Sequence, residues 1–172
     1  MREMKTYENF PAWIVLLANV VSILLYVIGL FICYRLHWIA AILYLLFILV
    51  LEFRLIGKHC VNCYYYGKIC GFGKGWFSAK LFKKGDSAQF CAKEMNWKDM
   101  IPDMLVVIVP LILGIVLLIQ NFGILILVAL IVMILLTSAG NSFIRGSLTC
   151  KYCKQLELGC PAAQLFNPKE KK

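Results

Sequence analysis

The chain has 172 residues, of which 62% are hydrophobic and 16% charged, with a formal net charge of +9 and a mean hydropathy of +0.80. Soluble domains are about 45 to 50% apolar and about 25% charged, so this composition predicts an integral membrane protein. It excludes a disordered chain, a secreted disulfide miniprotein and a free nucleic-acid-binding domain, because the basic residues flank long apolar runs.

Four apolar stretches predict transmembrane helices, since about 20 apolar residues are needed to cross a hydrocarbon core of about 30 Å. They run from about 12 to 34, 36 to 53, 103 to 119 and 122 to 142. Only a few residues separate the first from the second and the third from the fourth, so each pair predicts an antiparallel hairpin. Pro110 lies inside the third stretch and predicts a kink, which is tolerated where a neighbouring helix can satisfy the freed backbone carbonyl.

Lysine and arginine indicate the orientation of these helices. Of the 18 basic residues, nine lie between Arg54 and Lys98, six lie between Arg145 and Lys172, and two lie in the N-terminal tail. Because cytoplasmic segments of membrane proteins are enriched in lysine and arginine, we expect both termini and the central loop to be cytoplasmic. The sequence thus predicts a multi-pass protein of the cell membrane.

The most specific feature of the sequence is a duplicated cysteine triplet with the spacing C-x2-C-x6-C. The two triplets stand 90 positions apart and comprise Cys60, Cys63 and Cys70, then Cys150, Cys153 and Cys160. Each follows a predicted hairpin, and Pro11 and Pro102 precede the two hairpins. A fixed internal period predicts a repeated structural unit.

The duplication gives the predicted fold class: an all-α integral membrane protein whose four transmembrane helices form two tandem hairpin repeats. The first repeat covers residues 1–100 and the second covers residues 101–172, each ending in a cytoplasmic cysteine-rich hook. Parallel repeats are related by a pseudo-two-fold axis along the membrane normal. Such an axis would bring the two hooks to the same face of the membrane.

The cysteines of the hooks are candidate metal ligands, because closely spaced cysteines in a reducing cytoplasm more often bind metal than form disulfides. With Cys91, the first triplet makes a four-sulfur site. The second triplet has three sulfurs, so it borrows a ligand, takes water or substrate, or shares metal with the first. His59, next to Cys60, is a candidate ligand or a hydrogen-bond donor to one.

Three metals fit this pattern. An iron–sulfur cluster takes four cysteine thiolates and would have an evident role beside a membrane, so it is the first choice. Zinc also takes four thiolates, in a closed structural site. Copper(I) tolerates three soft ligands. The corresponding functions are electron transfer at the membrane, a zinc-stabilised scaffold that recruits a partner, and soft-metal sensing or handling.

Other features of the sequence indicate what the protein contacts rather than which reaction it performs. The basic, aromatic segment after Cys70, with Trp76 and Phe77, predicts contact with anionic lipid headgroups. A small hydrophobic chain with few functional groups indicates a protein partner or a larger complex. Hydrolytic catalysis lacks a nucleophile with its base, so the sequence names no catalytic residue. Cys33, near the outer end of the first stretch, is expected to be a buried free thiol that acts as a small apolar residue.

Overall fold

A computed structural model describes residues 6–86, 90, 97–158 and 160, with the backbone alone for residues 97–99. Within these ranges the chain is helical and contains no strand, only an isolated pairing of Tyr7 with Cys153. The helices are α1 Ala12–Leu36, α2 Trp38–Lys58, α3 Lys74–Leu81, α4 Trp97–Gln120, α5 Ile124–Leu135 and α6 Lys154–Glu157.

In the part of the chain that the structure describes, four helical segments are long and apolar enough to span a membrane. They are Ala12–Leu36, Trp38–Asn62, Met100–Gln120 and Ile124–Tyr152. Between 11% and 22% of the residues in their most apolar windows are buried inside the protein. Lipid can cover such outward-facing apolar surface, and the four predicted stretches are confirmed as helices able to span a membrane.

The first two helices are longer than predicted, and His37 alone separates them. The imidazole Nδ1 of His37 accepts a hydrogen bond from the backbone N–H of Ile39 (3.2 Å), at the start of α2. This contact satisfies one of the N–H groups that a helix start leaves without a partner. The short connection accounts for the extra helical residues at the end of α1.

The third helix, α4, begins at Trp97 rather than near residue 103, and it includes Pro102 as well as Pro110. The prediction took Pro102 as a residue before the helix. As the sixth residue of this helix, Pro102 lies beyond the first turn, so the helix lacks the hydrogen bond that would reach the carbonyl of Lys98.

The fourth span also continues further than predicted, because helical turns follow α5 as far as Tyr152. Two stretches in it, Leu136–Gly140 and Phe143–Thr149, have the wider turns of a π-helix. The hydroxyls of Thr137 and Ser138 each donate to the carbonyl four residues earlier, at 2.7 Å. These hydroxyls compete with backbone N–H groups for the same carbonyls, which favours a local widening of the helix.

The chain divides into two compact units. The bundle unit consists of Val20–Glu52 and Trp97–Ser142, and the cysteine unit consists of Met1–Asn19, Phe53–Asn96 and Phe143–Lys172. Each unit therefore combines segments from both predicted sequence repeats. The division of the sequence at residue 100 stays a prediction.

The bundle unit has an apolar interior in two clusters. One cluster contains Cys33, Ala41, Tyr44, Ile48, Leu51 and Val106, and the other contains Ile32, Ile126, Leu130 and Met133. Cys33 is buried and free, with only 1% of its surface exposed. The expectation that it acts as a small apolar residue is confirmed.

One buried hydrogen bond in the bundle unit compensates for Pro110. Because proline has no N–H, the carbonyl of Val106, four residues earlier, loses its helical partner. The hydroxyl of Tyr44 in α2 donates to this carbonyl at 2.7 Å. A neighbouring helix thus satisfies the freed carbonyl, which is the condition under which this proline is tolerated. Gly29 makes room for this tyrosine, since a Cβ at position 29 would collide with the phenol ring and its oxygen.

Candidate metal centre

The predicted ligands that the structure describes all belong to the cysteine unit. Six of them are free thiols: Cys60, Cys63, Cys70, Cys150, Cys153 and Cys160. Cys91 lies outside the described residues. His59 is the residue immediately before the turn that begins at Cys60, and its role as a ligand or donor stays a prediction.

The two C-x2-C sequences form turns with the same backbone conformation. Each begins with a 3₁₀ turn, Cys60–Asn62 or Cys150–Tyr152, and the second cysteine then has an extended backbone. The N–H of Cys63 donates to the carbonyl of Cys60 at 3.3 Å, and that of Cys153 donates to the carbonyl of Cys150 at 3.2 Å. The turn folds the chain back, so both cysteines of a pair lie close together.

Hydrogen bonding at the second cysteine is also repeated. The N–H of Tyr66 donates to the carbonyl of Cys63, and the N–H of Leu156 donates to the carbonyl of Cys153, both at 3.0 Å. In addition, the backbone N–H two residues after each of these cysteines, at Tyr65 and at Gln155, hydrogen-bonds its sulfur. Donors aimed at a sulfur stabilise its thiolate form, as around metal-bound cysteines.

Burial opposes ionisation of the same two thiols. It raises the pKa of Cys63 to about 11 and that of Cys153 to about 12, against 9.0 for an ordinary thiol. The N–H donors lower these values without cancelling the effect of burial. Both thiols are therefore neutral at pH 7. A cation beside them would favour their ionised form.

The two turns are joined by a reciprocal pair of hydrogen bonds. The amide oxygen of Gln155 accepts the N–H of Tyr64 at 2.8 Å, and the hydroxyl oxygen of Tyr65 accepts the N–H of Lys154 at 3.0 Å. Tyr65 and Gln155 each stand two positions after the second cysteine of their own triplet. Each accepts the N–H of the residue that directly follows the second cysteine of the other triplet. Both Tyr65 and Gln155 are buried.

Aromatic side chains surround this junction. Tyr65 packs with Phe10 and Ile14 in a buried cluster, and its hydroxyl donates to the carbonyl of Tyr7. The N–H of Tyr7 in turn donates to the carbonyl of Tyr152 at 3.0 Å. The segment before α1 is thus bound to both cysteine turns.

The thiols of the two triplets are neighbours. Cys63 interacts electrostatically with Cys70 and Cys160, and Cys153 interacts with Cys63, Cys150 and Cys160. Within the ranges that the structure describes, however, no three histidine, cysteine, aspartate or glutamate side chains meet closely enough to hold a metal ion. Metal binding would therefore have to draw these thiols together.

Sequence reasoning missed the residues that join the turns, namely Tyr65, Gln155 and Tyr7. A signal for two of them was available, because Tyr65 and Gln155 occupy the same position after the second cysteine in each triplet. Their dissimilar side chains concealed the equivalence. Only the structure shows that a phenol oxygen and an amide oxygen accept the same kind of backbone bond.

Comparison of the chain with protein families, with curated proteins and with solved structures finds no match.

Proposed function

We propose that this chain is a membrane protein with a cysteine-ligated metal centre that transfers electrons at the cytoplasmic face of the cell membrane. The observation that carries the proposal is the pair of matching C-x2-C turns, each with a backbone N–H directed at the sulfur of its second cysteine. Cysteine thiolates held in this way suit a soft or borderline metal.

An iron–sulfur cluster is the first choice for this centre. Hydrogen bonds to sulfur and the exclusion of solvent set the reduction potential of such clusters, and both features are present around Cys63 and Cys153. The cluster would accept one electron from a carrier in the membrane and pass it to a protein partner. Its place in a chain with four membrane-spanning helices supports that role.

A zinc-stabilised scaffold is the second candidate. The reciprocal bonds of Tyr65 and Gln155 join two segments that are far apart in the sequence, and a structural zinc ion would reinforce the same junction. The basic surface would then recruit an acidic partner. Copper(I) handling is the third possibility, and it requires metal that exchanges readily.

The basic, aromatic helix α3 is proposed to contact anionic lipid headgroups. Its buried side is formed by Gly75 and Ser78, while Trp76 and Phe77 are exposed. Lys80 lies over the ring of Trp76, with its Nζ 3.7 Å from the ring centre. An exposed aromatic pair beside lysines is suited to the interface between headgroups and acyl chains.

Metal and sulfide analysis of the full chain tests the proposed function. The protein is purified anaerobically in detergent, and its iron, acid-labile sulfide, zinc and copper contents are measured together with its visible absorption spectrum. Iron with labile sulfide supports electron transfer. Stoichiometric zinc without visible absorption supports the scaffold. A protein that contains no iron, zinc or copper overturns all three candidates.

A matched pair of variants shows whether the metal is bound by the cysteine unit. Cys63→Ser removes a thiol from one of the turns, whereas Cys33→Ser changes a thiol buried in the bundle unit. We expect the first variant to lose the metal and the second to keep it. Equal loss in both would indicate unfolding rather than loss of a ligand.

A further inference from the structure

We propose that α3 lies in the plane of the membrane boundary, with an apolar ridge inserted among the acyl chains and a basic edge that binds anionic lipid headgroups. The apolar ridge is Phe77 and Leu81, and the basic edge is Lys80, Lys83 and Lys84. This placement rests on the proposed contact of α3 with anionic headgroups, and it adds the depth of the helix, its orientation and the residue that anchors it. It does not depend on a metal.

Exposed aromatic side chains near the two ends of α1 mark the membrane boundaries. Trp13 and Tyr34 are both exposed, and they stand 21 residues apart. At about 1.5 Å per residue, this separation is about 31 Å. It matches a hydrocarbon core of about 30 Å, and tryptophan and tyrosine are enriched at both of its boundaries. Trp13 therefore gives the level of one boundary.

The loop before α3 runs beside α1 inside this level. The amide Nδ2 of Asn19 donates to the carbonyl of Val15 at 2.7 Å and to the carbonyl of Phe72 at 3.2 Å. Val15 and Asn19 follow Trp13 by two and six residues, so the carbonyl of Phe72 lies about 3 to 9 Å inside the boundary. At Gly73, directly before α3, a Cβ would lie 3.1 Å from Cγ1 of Val15, which gives a similar level.

The backbone of this loop has the internal partners that such a depth requires. Lipid offers no hydrogen bonds, so non-helical backbone inside a membrane must be satisfied by the protein. The carbonyl of Phe72 accepts from Asn19, and the N–H of Gly73 donates to the carbonyl of Cys70 at 2.8 Å. Asn19, a polar residue in an apolar span, thus anchors the loop.

The second helix gives an independent measure of the level of α3. The hydroxyl of Ser78, in the middle of α3, donates to the carbonyl of Ile56 at 3.4 Å. Ile56 is 18 residues beyond Trp38, the exposed aromatic residue that begins α2 at the opposite boundary. This separation is about 27 Å, so Ile56 lies about 3 Å inside a core of about 30 Å. The start and the middle of α3 are therefore at similar depths, as in a helix parallel to the membrane plane.

The outer surface of α3 has the composition of an interfacial helix. Phe77 and Leu81 stand one turn apart and are both exposed, and Trp76 and Lys80 form the neighbouring ridge. An apolar ridge beside a cationic one suits the boundary between acyl chains and headgroups.

The charge of the segment selects the class of lipid. Residues 74–86 contain four lysines and one acidic residue, and Lys80, Lys83 and Lys84 are exposed. Each lysine near a membrane surface adds attraction to anionic lipid. We therefore assign the anionic leaflet at this boundary as the partner of the exposed surface.

Fluorescence quenching in lipid vesicles tests the depth and orientation of α3. Trp13, Trp38 and Trp97 are replaced by phenylalanine, so that one protein retains Trp76 alone; in a second protein, Trp76→Phe is combined with Phe77→Trp. The vesicles carry either a nitroxide on the headgroup or bromine on the upper or the lower part of the acyl chain. We expect upper-chain bromine to quench both proteins more than lower-chain bromine. The ratio of bromine to nitroxide quenching should be about twofold higher at position 77.

The outcomes separate insertion from contact. Quenching by the headgroup nitroxide alone overturns the insertion but keeps the proposed contact with headgroups. No quenching by any of these lipids overturns both. A higher ratio at position 76 than at position 77 overturns the orientation.

The lipid class is tested with the protein that retains Trp76. Brominated phosphatidylglycerol, as one-fifth of the lipid, should quench it about twofold more than the same share of brominated phosphatidylcholine. Replacing the three lysines of the basic edge by glutamine should abolish this preference. The matched control replaces three lysines of the C-terminal tail, Lys169, Lys171 and Lys172, and should keep the preference. Equal preference in all three proteins would overturn the basic edge as the headgroup site.

Asn19→Leu tests the anchor. Without the donor to Phe72 the loop should withdraw, so quenching of Trp76 by upper-chain bromine should fall about twofold. The control is Ser138→Ala, since that hydroxyl donates within its own helix, and it should leave the quenching unchanged. A single-tryptophan protein that retains Trp13 shows whether α1 itself keeps its position. Unchanged quenching of Trp76 in Asn19→Leu would overturn the anchor.

Discussion

The two units of the molecule use polar contacts for different purposes. In the bundle unit, tyrosine hydroxyls make contacts within the helix bundle. The hydroxyl of Tyr44 satisfies the carbonyl that Pro110 leaves without a partner, and that of Tyr26 donates to Glu52 at 2.7 Å. In the cysteine unit, buried polar groups join distant parts of the chain. Tyr65 and Gln155 connect segments about 90 residues apart.

This difference follows from what each unit can bury. Apolar helices in a membrane associate through close packing, and polar side chains add about 1 kcal/mol each. The cysteine unit has short turns that bury little apolar surface by themselves. Specific hydrogen bonds must therefore select how its segments pair, and a metal would strengthen that selection.

The largest expected effect comes from removing the aromatic ring at the centre of the cysteine unit. Tyr65→Ala deletes a side chain that is 1% exposed and removes both of its hydroxyl contacts. Loss of a buried aromatic ring lowers the free energy of unfolding by about 3 to 5 kcal/mol. Thermal unfolding in detergent micelles measures the change.

The control for this variant is Tyr34→Ala, at a position that is 64% exposed. It should shift the unfolding temperature little. An equal shift in both variants would mean that Tyr65 does not organise the cysteine unit.

Gln155→Leu tests the reciprocal contact without removing a large side chain. It leaves the N–H of Tyr64 without its acceptor, which costs about 1 to 3 kcal/mol for a buried donor. If the turn holds a metal ligand, metal affinity should fall by about 10-fold to 100-fold, as for other groups that orient ligands. Competition with a chelator measures that affinity.

Tyr65→Phe removes the matching bond on the other side of the junction. Because this hydroxyl also donates to the carbonyl of Tyr7, the variant should weaken metal binding at least as much as Gln155→Leu. A large effect of one variant with none of the other would show that the junction is not symmetric in energy.

Tyr44→Phe tests whether the hydroxyl of Tyr44 compensates for the N–H that Pro110 lacks. The variant leaves the carbonyl of Val106 unsatisfied and should destabilise the protein by about 1 kcal/mol. In the Pro110→Ala background, the new N–H at position 110 can bind that carbonyl. The same tyrosine substitution should then have a smaller effect, and thermal unfolding of the four proteins completes the cycle. Unchanged loss in both backgrounds would contradict the compensation.

The sequence was sufficient for the membrane helices but not for the contacts within the cysteine unit. Hydropathy predicts the spans, because they follow from local composition. The position of Pro110 predicts that one backbone carbonyl needs another donor, because proline has no N–H. They do not identify Tyr44 as that donor, since the pairing depends on how α2 packs. The helix ends were also misplaced, because hydroxyl and imidazole side chains extend or widen the helices.

Cysteine spacing, in turn, predicts a repeated unit but not the contacts that join its two copies. The two C-x2-C sequences have the same turn conformation in the structure. The two turns are joined by Tyr65 and Gln155, and the chemical types of these side chains do not reveal that they make equivalent contacts.

The smallest expected effect concerns the pH dependence of the metal-free protein. Burial raises the pKa of Cys63 to about 11 and of Cys153 to about 12, above the 9.0 of an exposed thiol. The unfolded chain therefore loses these protons first as the pH rises. The stability linked to these thiols is complete below about pH 9 and is lost as the pH passes through 11 to 12.

Alkylation rates measured from pH 8 to pH 12 check this pH dependence at each thiol. Cys63 and Cys153 in the folded, chelator-treated protein should become reactive only near their raised pKa values, whereas the denatured chain should react fully from about pH 9. Identical profiles for folded and denatured protein would mean that neither sulfur is buried. The cysteine unit would then lack the water-poor surroundings that distinguish it from an exposed pair of turns.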